Sequence, residues 1–207
     1  MPLIFLVRHA ENDYTRKNRL AGRLPAVHLN QRGREQAHLL AKYLEKAPLK
    51  AIYSSPLERA VETAEPLAQI HQLEVKLHSG LIELDYGDWQ GESLKGLHRL
   101  RLWRTVQNTP SLMRFPQGET ILEAQFRITQ TIHEIASQFG ENDWVVCVSH
   151  ADPIKLAMAH FLGMPLDMYQ RLNVSLASMS VLHLTQQSVR VLAVNFLPNL
   201  FEGLAKK

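Results

Sequence analysis

Pro2-Leu3-Ile4-Phe5-Leu6-Val7-Arg8-His9-Ala10-Glu11-Asn12 decides the reading of this chain. The run from Pro2 to Val7 is continuously apolar, with β-branched and aromatic members, and predicts a buried strand. It stops abruptly at an Arg-His pair. In an open α/β sheet the carboxyl ends of the strands face the ligand crevice, so a pair placed there stands where a ligand binds. Arg8 keeps its charge at any ordinary pH, and its fork of donors matches a phosphate. A neutral imidazole at His9 can attack phosphorus. A plain surface turn after a strand fits the same residues, so the rest of the chain has to decide.

Working outward, residues 144–148 (Trp-Val-Val-Cys-Val) repeat the pattern and end in Ser149-His150-Ala151. Such a run predicts a central strand covered on both faces. Asp152 and Pro153 are expected to cap and open a helix to about Leu162, closed by Gly163. His150 then lies just ahead of a helix N-terminus, which favours anions. A third strand is expected over 50–54. After it, Ser55 suits a helix cap, Pro56 the first helical position, and Glu58 the capping box. Arg59 falls in that first turn, where a cation opposes the helix dipole; a bound anion explains it better than helix stability does.

The remaining elements fit around these three. Residues 13–23 read as a loop carrying Arg16, Lys17, Arg19 and Arg23. A helix is expected from Gln31 or Arg32 to Glu45 on the spacing of Ala37, Leu40, Ala41 and Leu44, stopped by Pro48. A strand-like piece covers 73–78. Thr120 and Glu123 form a capping box for a helix whose apolar face is Leu122, Phe126, Ile128, Thr129, Ile132, Ile135 and Ala136, ended by Gly140. Residues 179–184 and 189–195 read as a strand pair joined by 185–188, and the rest as a tail.

Two segments carry further chemistry. Glu83, Asp85 and Asp88 lie beside Tyr86 and Trp89. A carboxyl against aromatic surface loses solvation, its pKa rises, and it becomes a candidate general acid. Spacing alone does not choose among the three. Residues 93–117 read as a basic helical excursion over the sheet edge, with Leu94, Leu97, Leu100, Leu102, Trp103 and Val106 as its apolar face. It either shapes specificity or presents a solvated face.

Composition narrows the class. At 207 residues and 45% hydrophobic, the chain fits one domain (1–207) with a sizeable core. A formal net charge of +3 without a block of like charges does not suggest a nucleic-acid partner. No apolar run reaches membrane-spanning length, so no membrane partner and a cytoplasmic location are expected. The single cysteine, Cys147, excludes an internal disulfide and reads as a buried thiol.

Two strands ending in histidine, Arg59 after a third, and a nearby carboxyl make a phosphoryl-transfer inventory. A metal among His9, His150 and the acids would face Arg8 and Arg59, an unfavourable charge arrangement, so no metal is expected.

These residues resemble the histidine phosphatase superfamily, also called phosphoglycerate mutase-like. The resemblance runs from Leu3 to about Asn195 and rests on five motifs in the family's order: Leu6-Val7-Arg8-His9-Ala10-Glu11, Ser54-Ser55-Pro56-Leu57-Glu58-Arg59-Ala60, Glu83-Leu84-Asp85-Tyr86-Gly87, Pro116-Gln117-Gly118-Glu119-Thr120 and Val148-Ser149-His150-Ala151. Within the family the chain is most similar to a bacterial phosphomutase and phosphatase subgroup. The resemblance implies an α/β fold, a three-layer α/β/α sandwich with a mostly parallel sheet and an antiparallel edge, and no cofactor.

It also implies that His9 becomes phosphohistidine, that Arg8, Arg59 and a protonated His150 hold the phosphate with the helix N-terminus at Ala151, and that Glu83 is the proton donor. Asn12 and Thr15 stand where the family often has Ser or Thr and Asn; both can donate to a phosphate oxygen. Gly22 matches the family's loop glycine. Leu84 stands where true phosphoglycerate mutases carry a substrate-binding arginine. The expected function is therefore a metal-independent phosphomonoesterase on a small phosphorylated metabolite. A cofactor-dependent phosphomutase is the alternative, and a binding protein that has lost catalysis ranks lower. A homodimer is a further expectation, through apolar surface on the excursion or the tail.

Overall fold

The computed structural model describes residues 2–185 and 188–197. Its centre is a six-stranded sheet in the order β3-β2-β4-β1-β5-β6, formed by β1 (Leu3–Arg8), β2 (Leu49–Ser54), β3 (Val75–Leu77), β4 (Trp144–Ser149), β5 (Met179–Leu184) and β6 (Val189–Phe196). The first four pair in parallel; β5 runs antiparallel to β1, and β6 to β5. The expected mostly parallel sheet with an antiparallel edge is therefore present. The tail expected after Asn195 lies, beyond Leu197, outside the described residues, as do Gln186 and Gln187 of the expected turn.

Side-chain alternation builds the two cores. Ile4 and Leu6 of β1, Ala51 and Tyr53 of β2, and Val145 and Cys147 of β4 enter one apolar cluster. It includes Ile128, Ile132 and Ile135 of α6 (Ile121–Ala136) and Ile154 and Met158 of α7 (Ala151–Phe161). Phe5, Val7, Ile52, Val146 and Val148 point the other way. There they meet Leu40 and Ala41 of α2 (Gln31–Tyr43) and Ala60, Ala64 and Leu67 of α3 (Glu58–His71). Helices on both faces make the expected three layers. Each fully buried aliphatic side chain contributes about 1.5–3 kcal/mol relative to exposure. The double coverage explains why residues 144–148 lack the alternation of a half-exposed strand.

Several local expectations change. Residues 13–23 contain one helical turn, α1 (Asp13–Arg16). Ser55 does not cap α3, whose N-cap is Leu57 with no side-chain bond, and Asp152 does not cap α7, whose N-cap is His150. Each also takes a tertiary partner: Ser55 the His150 ring and Asp152 the Tyr86 hydroxyl. In α6 the Thr120–Glu123 capping box forms, but Leu122 and Phe126 are 58% and 67% exposed, so its buried face is narrower than expected.

The excursion holds two short helices, α4 (Leu94–Leu97) and α5 (Arg101–Asn108). Leu97 and Val106 are buried and Trp103 half-buried, whereas Leu100 and Leu102 face outward. Its roots are fastened together. Asp88 N–H donates to Pro116 O at 2.9 Å and Glu119 N–H to Asp85 O at 3.1 Å. Gly87, at φ +52°, and Gly118 permit this approach: a Cβ would lie 1.9 Å from Pro116 O or 2.3 Å from Asp85 O. A side chain at either would part the two strands of backbone.

Candidate active site

Three adjacent parallel strands end together. Arg8 pairs with Ser149, and Ser54 with Val148. His9 N–H donates to Ser149 O, and Ser55 N–H to Val148 O, both at 2.9 Å. The carboxyl ends of β2, β4 and β1 therefore deliver Ser55, His150 and His9 side by side. The chain inserts β4 between β2 and β1, which opens the ligand crevice at this edge. The rings of His9 and His150 lie 5.2 Å apart. Arg59 arrives from the first turn of α3. Thr63, one turn further, ties that helix to the His9 turn: it accepts from Ala10 N–H at 3.0 Å and donates to Arg59 O at 2.6 Å. Sequence reasoning had no signal for Thr63.

His9 is buried, and its Nδ1 lies 2.8 Å from Ala10 O. A carbonyl only accepts, so Nδ1 carries the hydrogen and Nε2 is left with its lone pair. Burial first, then Arg59 and Arg8, hold the ring's pKa well below the usual histidine value. The expected neutral imidazole is present, with desolvation rather than charge as its chief cause. His150 is also neutral, because burial, Arg59 and His9 disfavour its charge. The protonated His150 expected during phosphoryl transfer therefore has to gain its proton when the anion is bound. Its Nε2 lies 2.8 Å from Ser55 Oγ, and its Nδ1 finds no partner among the described residues.

The cationic end is held by carbonyls. Arg8 donates to Val174 O and Arg59 to Gly22 O, each at 2.7 Å. Yet Arg8 Nε, Arg59 Nε and Nη1, and Asn12 Nδ2 are buried without hydrogen-bond partners among the described residues. Unpaired buried donors are costly, and several from residues lining one cavity suit an anionic ligand. Thr15 differs from expectation. Its hydroxyl donates to Asn12 O and accepts from Asn12 N–H, while its own N–H binds Asn12 Oδ1. Thr15 thus aims the Asn12 amide, which leaves Nδ2 free. Gly22 contributes its carbonyl to Arg59, and Ala151 brings the α7 N-terminus to the cavity wall.

Of the three acids, Glu83 is the one that lines the cavity. It is buried in the cavity wall, and burial together with Asp152 raises its pKa to about 7 against the pull of Arg59 and Arg8. Asp85 instead pairs with Arg23 at 3.5 Å, and Asp88 is exposed. Arg23 turns away from the anion end: it donates to Glu83 O at 2.8 Å and to Glu119 at 3.1 Å. Glu119 also binds Arg127 at 2.8 Å and Asp85 N–H at 2.9 Å, and Arg127 reaches Gly80 O and Ile82 O. This clamp fixes the backbone on both sides of Glu83. Among the described residues no group of three histidine, cysteine or carboxylate side chains is arranged to hold a metal.

The cavity is about 360 Å³ and extends from these groups to the excursion. The geometry can neutralise a phosphoryl group, present a bare ring nitrogen to it and offer a protonated carboxyl beside it. The family model of the histidine phosphatase superfamily (branch 1) matches residues 4–197.

The chain belongs to the histidine phosphatase superfamily.

Its phosphatase-type enzyme class follows from that membership and from its relatives. Phosphoserine phosphatase 1 of Hydrogenobacter thermophilus is 33% identical over 98% of this chain and 96% of its own length. A 2,3-bisphosphoglycerate-dependent phosphoglycerate mutase of Thermoplasma acidophilum is 30% identical over 88% of this chain and 87% of its own. Among solved structures, Bacillus stearothermophilus YhfR superposes with a TM-score of 0.88 at 26% identity, over 95% of this chain and 98% of that one. The superfamily's sandwich is thus the fold observed here. No helix among the described residues is long and apolar enough to cross a membrane.

Proposed function

We propose that this histidine phosphatase hydrolyses a small phosphorylated metabolite, with His9 as the residue that carries the phosphoryl group. His9 Nε2 attacks phosphorus as the ester P–O bond breaks. Glu83 gives its proton to the leaving oxygen. Water then attacks the phosphohistidine, Glu83 takes the water's proton, and the N–P electron pair returns to Nε2. Arg8, Arg59, Asn12 Nδ2, His150 and the helix N-terminus at Ala151 spread the charge on the phosphoryl oxygens. Thr15 and Gly22 position Asn12 and Arg59. The reading is carried by one observation: Arg8, Arg59 and Asn12, each with a buried, unpartnered donor, line the same cavity as His9 with its Nε2 lone pair.

Hydrolysis is favoured over the mutase alternative by Leu84. It is wholly buried in the apolar core at the position where mutases are expected to carry arginine. The reading treats 1–207 as one domain with 93–117 as its cover, acting in the cytoplasm on small substrates. It includes a homodimer joined through the exposed Leu100, Leu102 and Leu112 of the excursion; sedimentation of wild type against Leu112→Asp tests that pairing. The decisive experiment incubates the chain with phosphomonoesters and chelator, measuring free phosphate, transferred phosphate and acid-labile protein phosphate. Free phosphate with a phosphoenzyme absent in His9→Ala is expected. Acid-labile phosphate on another residue overturns the assignment, and isomerised ester without free phosphate replaces the phosphatase with a mutase.

A further inference from the structure

The far half of the cavity differs in kind from its phosphate end. Tyr86, Phe115, Trp89 and Trp103 form a chain of touching rings. The centroids of Tyr86 and Phe115 are 5.0 Å apart, of Phe115 and Trp89 5.3 Å, and of Trp89 and Trp103 6.1 Å with planes 24° apart. Trp103 and Val106 come from α5, so the excursion supplies the outer part of this wall.

Of the charged groups beyond the phosphate end, Asp152 and Lys155 are matched to each other. Asp152 accepts from the Tyr86 hydroxyl at 2.8 Å and pairs with Lys155 at 3.5 Å. Lys155 also donates to Gln170 at 3.1 Å. Arg19 sits exposed on the rim with its Nε on Gly91 O. An ammonium on the leaving group would have to break the Asp152 pairings, which is unfavourable, and a carboxylate would meet an unpaired cation only at the exposed rim Arg19, where a charge pair contributes little. A flat apolar leaving group would cover Trp103 and Val106 and disturb none of these pairings.

Resting on the phosphatase reading above, we propose that the preferred substrates are phosphomonoesters whose alcohol carries an aromatic ring, seated against Trp103, rather than amino-acid phosphates. The ring lies on the excursion side while the ester oxygen faces Glu83. Recognition of the alcohol is then by flat apolar contact, and its polar edge reaches Gln107 or the solvent at the mouth.

The test compares three primary alkyl esters, so that leaving-group chemistry changes little: 2-phenylethyl phosphate, ethyl phosphate and O-phospho-L-serine. In parallel, calorimetry measures binding of the non-hydrolysable 2-phenylethylphosphonate and ethylphosphonate. The expected result is a kcat/KM for 2-phenylethyl phosphate about tenfold or more above the other two, with a similar gap in phosphonate affinity, the scale on which apolar pockets discriminate. In Trp103→Ala the phenylethyl-to-ethyl ratio is expected to collapse to within about threefold, and Trp103→Phe to restore most of it. Equal ratios in wild type, phosphoserine as the best ester, or a ratio unmoved in Trp103→Ala each overturn the proposal. If no ester is hydrolysed, the phosphatase reading fails, and the phosphonate affinities still decide the aromatic site in either direction.

Discussion

His9 and His150 stand at the ends of neighbouring parallel strands, each followed by alanine, each buried and each neutral. Their second partners separate them. His9 Nδ1 faces a backbone carbonyl, which fixes one tautomer and leaves Nε2 bare. His150 Nε2 faces the Ser55 hydroxyl, which also accepts from Leu57 N–H at 3.3 Å and can either donate or accept toward the ring. The first ring has one assignment and suits a nucleophile. The second can take up a proton at Nδ1 when an anion arrives and suits a donor. Two side chains with the same burial thus acquire different proton-accepting capacity from one carbonyl and one hydroxyl.

The largest expected effect breaks the pair outright. His9→Ala should lower turnover by about 10⁴-fold or more and abolish the phosphoenzyme; quench-flow with acid-labile phosphate detection measures both. Glu83, the proposed proton donor, comes next. Glu83→Gln should cost about 10²–10⁴-fold on alkyl esters and less on nitrophenyl phosphate, whose oxygen needs no proton. Because the Glu83 pKa stands at about 7, wild-type kcat/KM should fall as pH rises through that value. That limb should vanish in Glu83→Gln.

His150→Ala should retain a phosphoenzyme while losing about 10²-fold in its formation rate, the scale of one lost transition-state donor. If it instead abolishes the phosphoenzyme as His9→Ala does, the division of roles is wrong. Ser55→Ala should have a smaller effect, less than about tenfold, seen as a change in KM and in the acid limb of the pH profile. No change at all would mean that the hydroxyl does not set the ring.

The smallest effect is on stability. Both rings have folded pKa values below the ordinary 6.5, so their contribution is complete above that pH. It is lost as pH falls and the unfolded chain takes up protons that the folded one refuses. Thermal melts below pH 6.5 should decline less steeply in a His9→Ala, His150→Ala double variant.

Much of this site was legible because its parts sit where local pattern meets chemistry. An apolar run ending in Arg8-His9 or Ser149-His150 announces both a strand and its exit, and Arg59 is conspicuous as a cation in a first turn. Errors arose where a local rule and a tertiary partner competed for one side chain. Ser55 and Asp152 fit cap positions by type, yet one bonds His150 and the other Tyr86 and Lys155. Thr15 has a phosphate-binding hydroxyl in principle and spends it on Asn12 O. Leu122 and Phe126 match the helical period but lie beyond the reach of the core. Thr63 left no signal, since Ala10 is distant in sequence; Glu119 stood in a recognisable motif, but its clamp on Arg23 and Asp85 depends on contacts that only the fold brings together.

The fastening of Asp85–Asp88 against Pro116–Glu119 has a consequence for change over generations. Because the two roots of the excursion are closed on each other by Gly87 and Gly118, the stretch between them is a loop hung from a clasp. Lengthening, shortening or replacing that stretch alters the outer wall of the cavity and leaves Glu83 on the anchored side. Lengthening such a loop costs little closure entropy. Under the proposed function, the molecule thereby separates the part that does the chemistry from the part that contacts the alcohol, and offers the second as an exchangeable cassette.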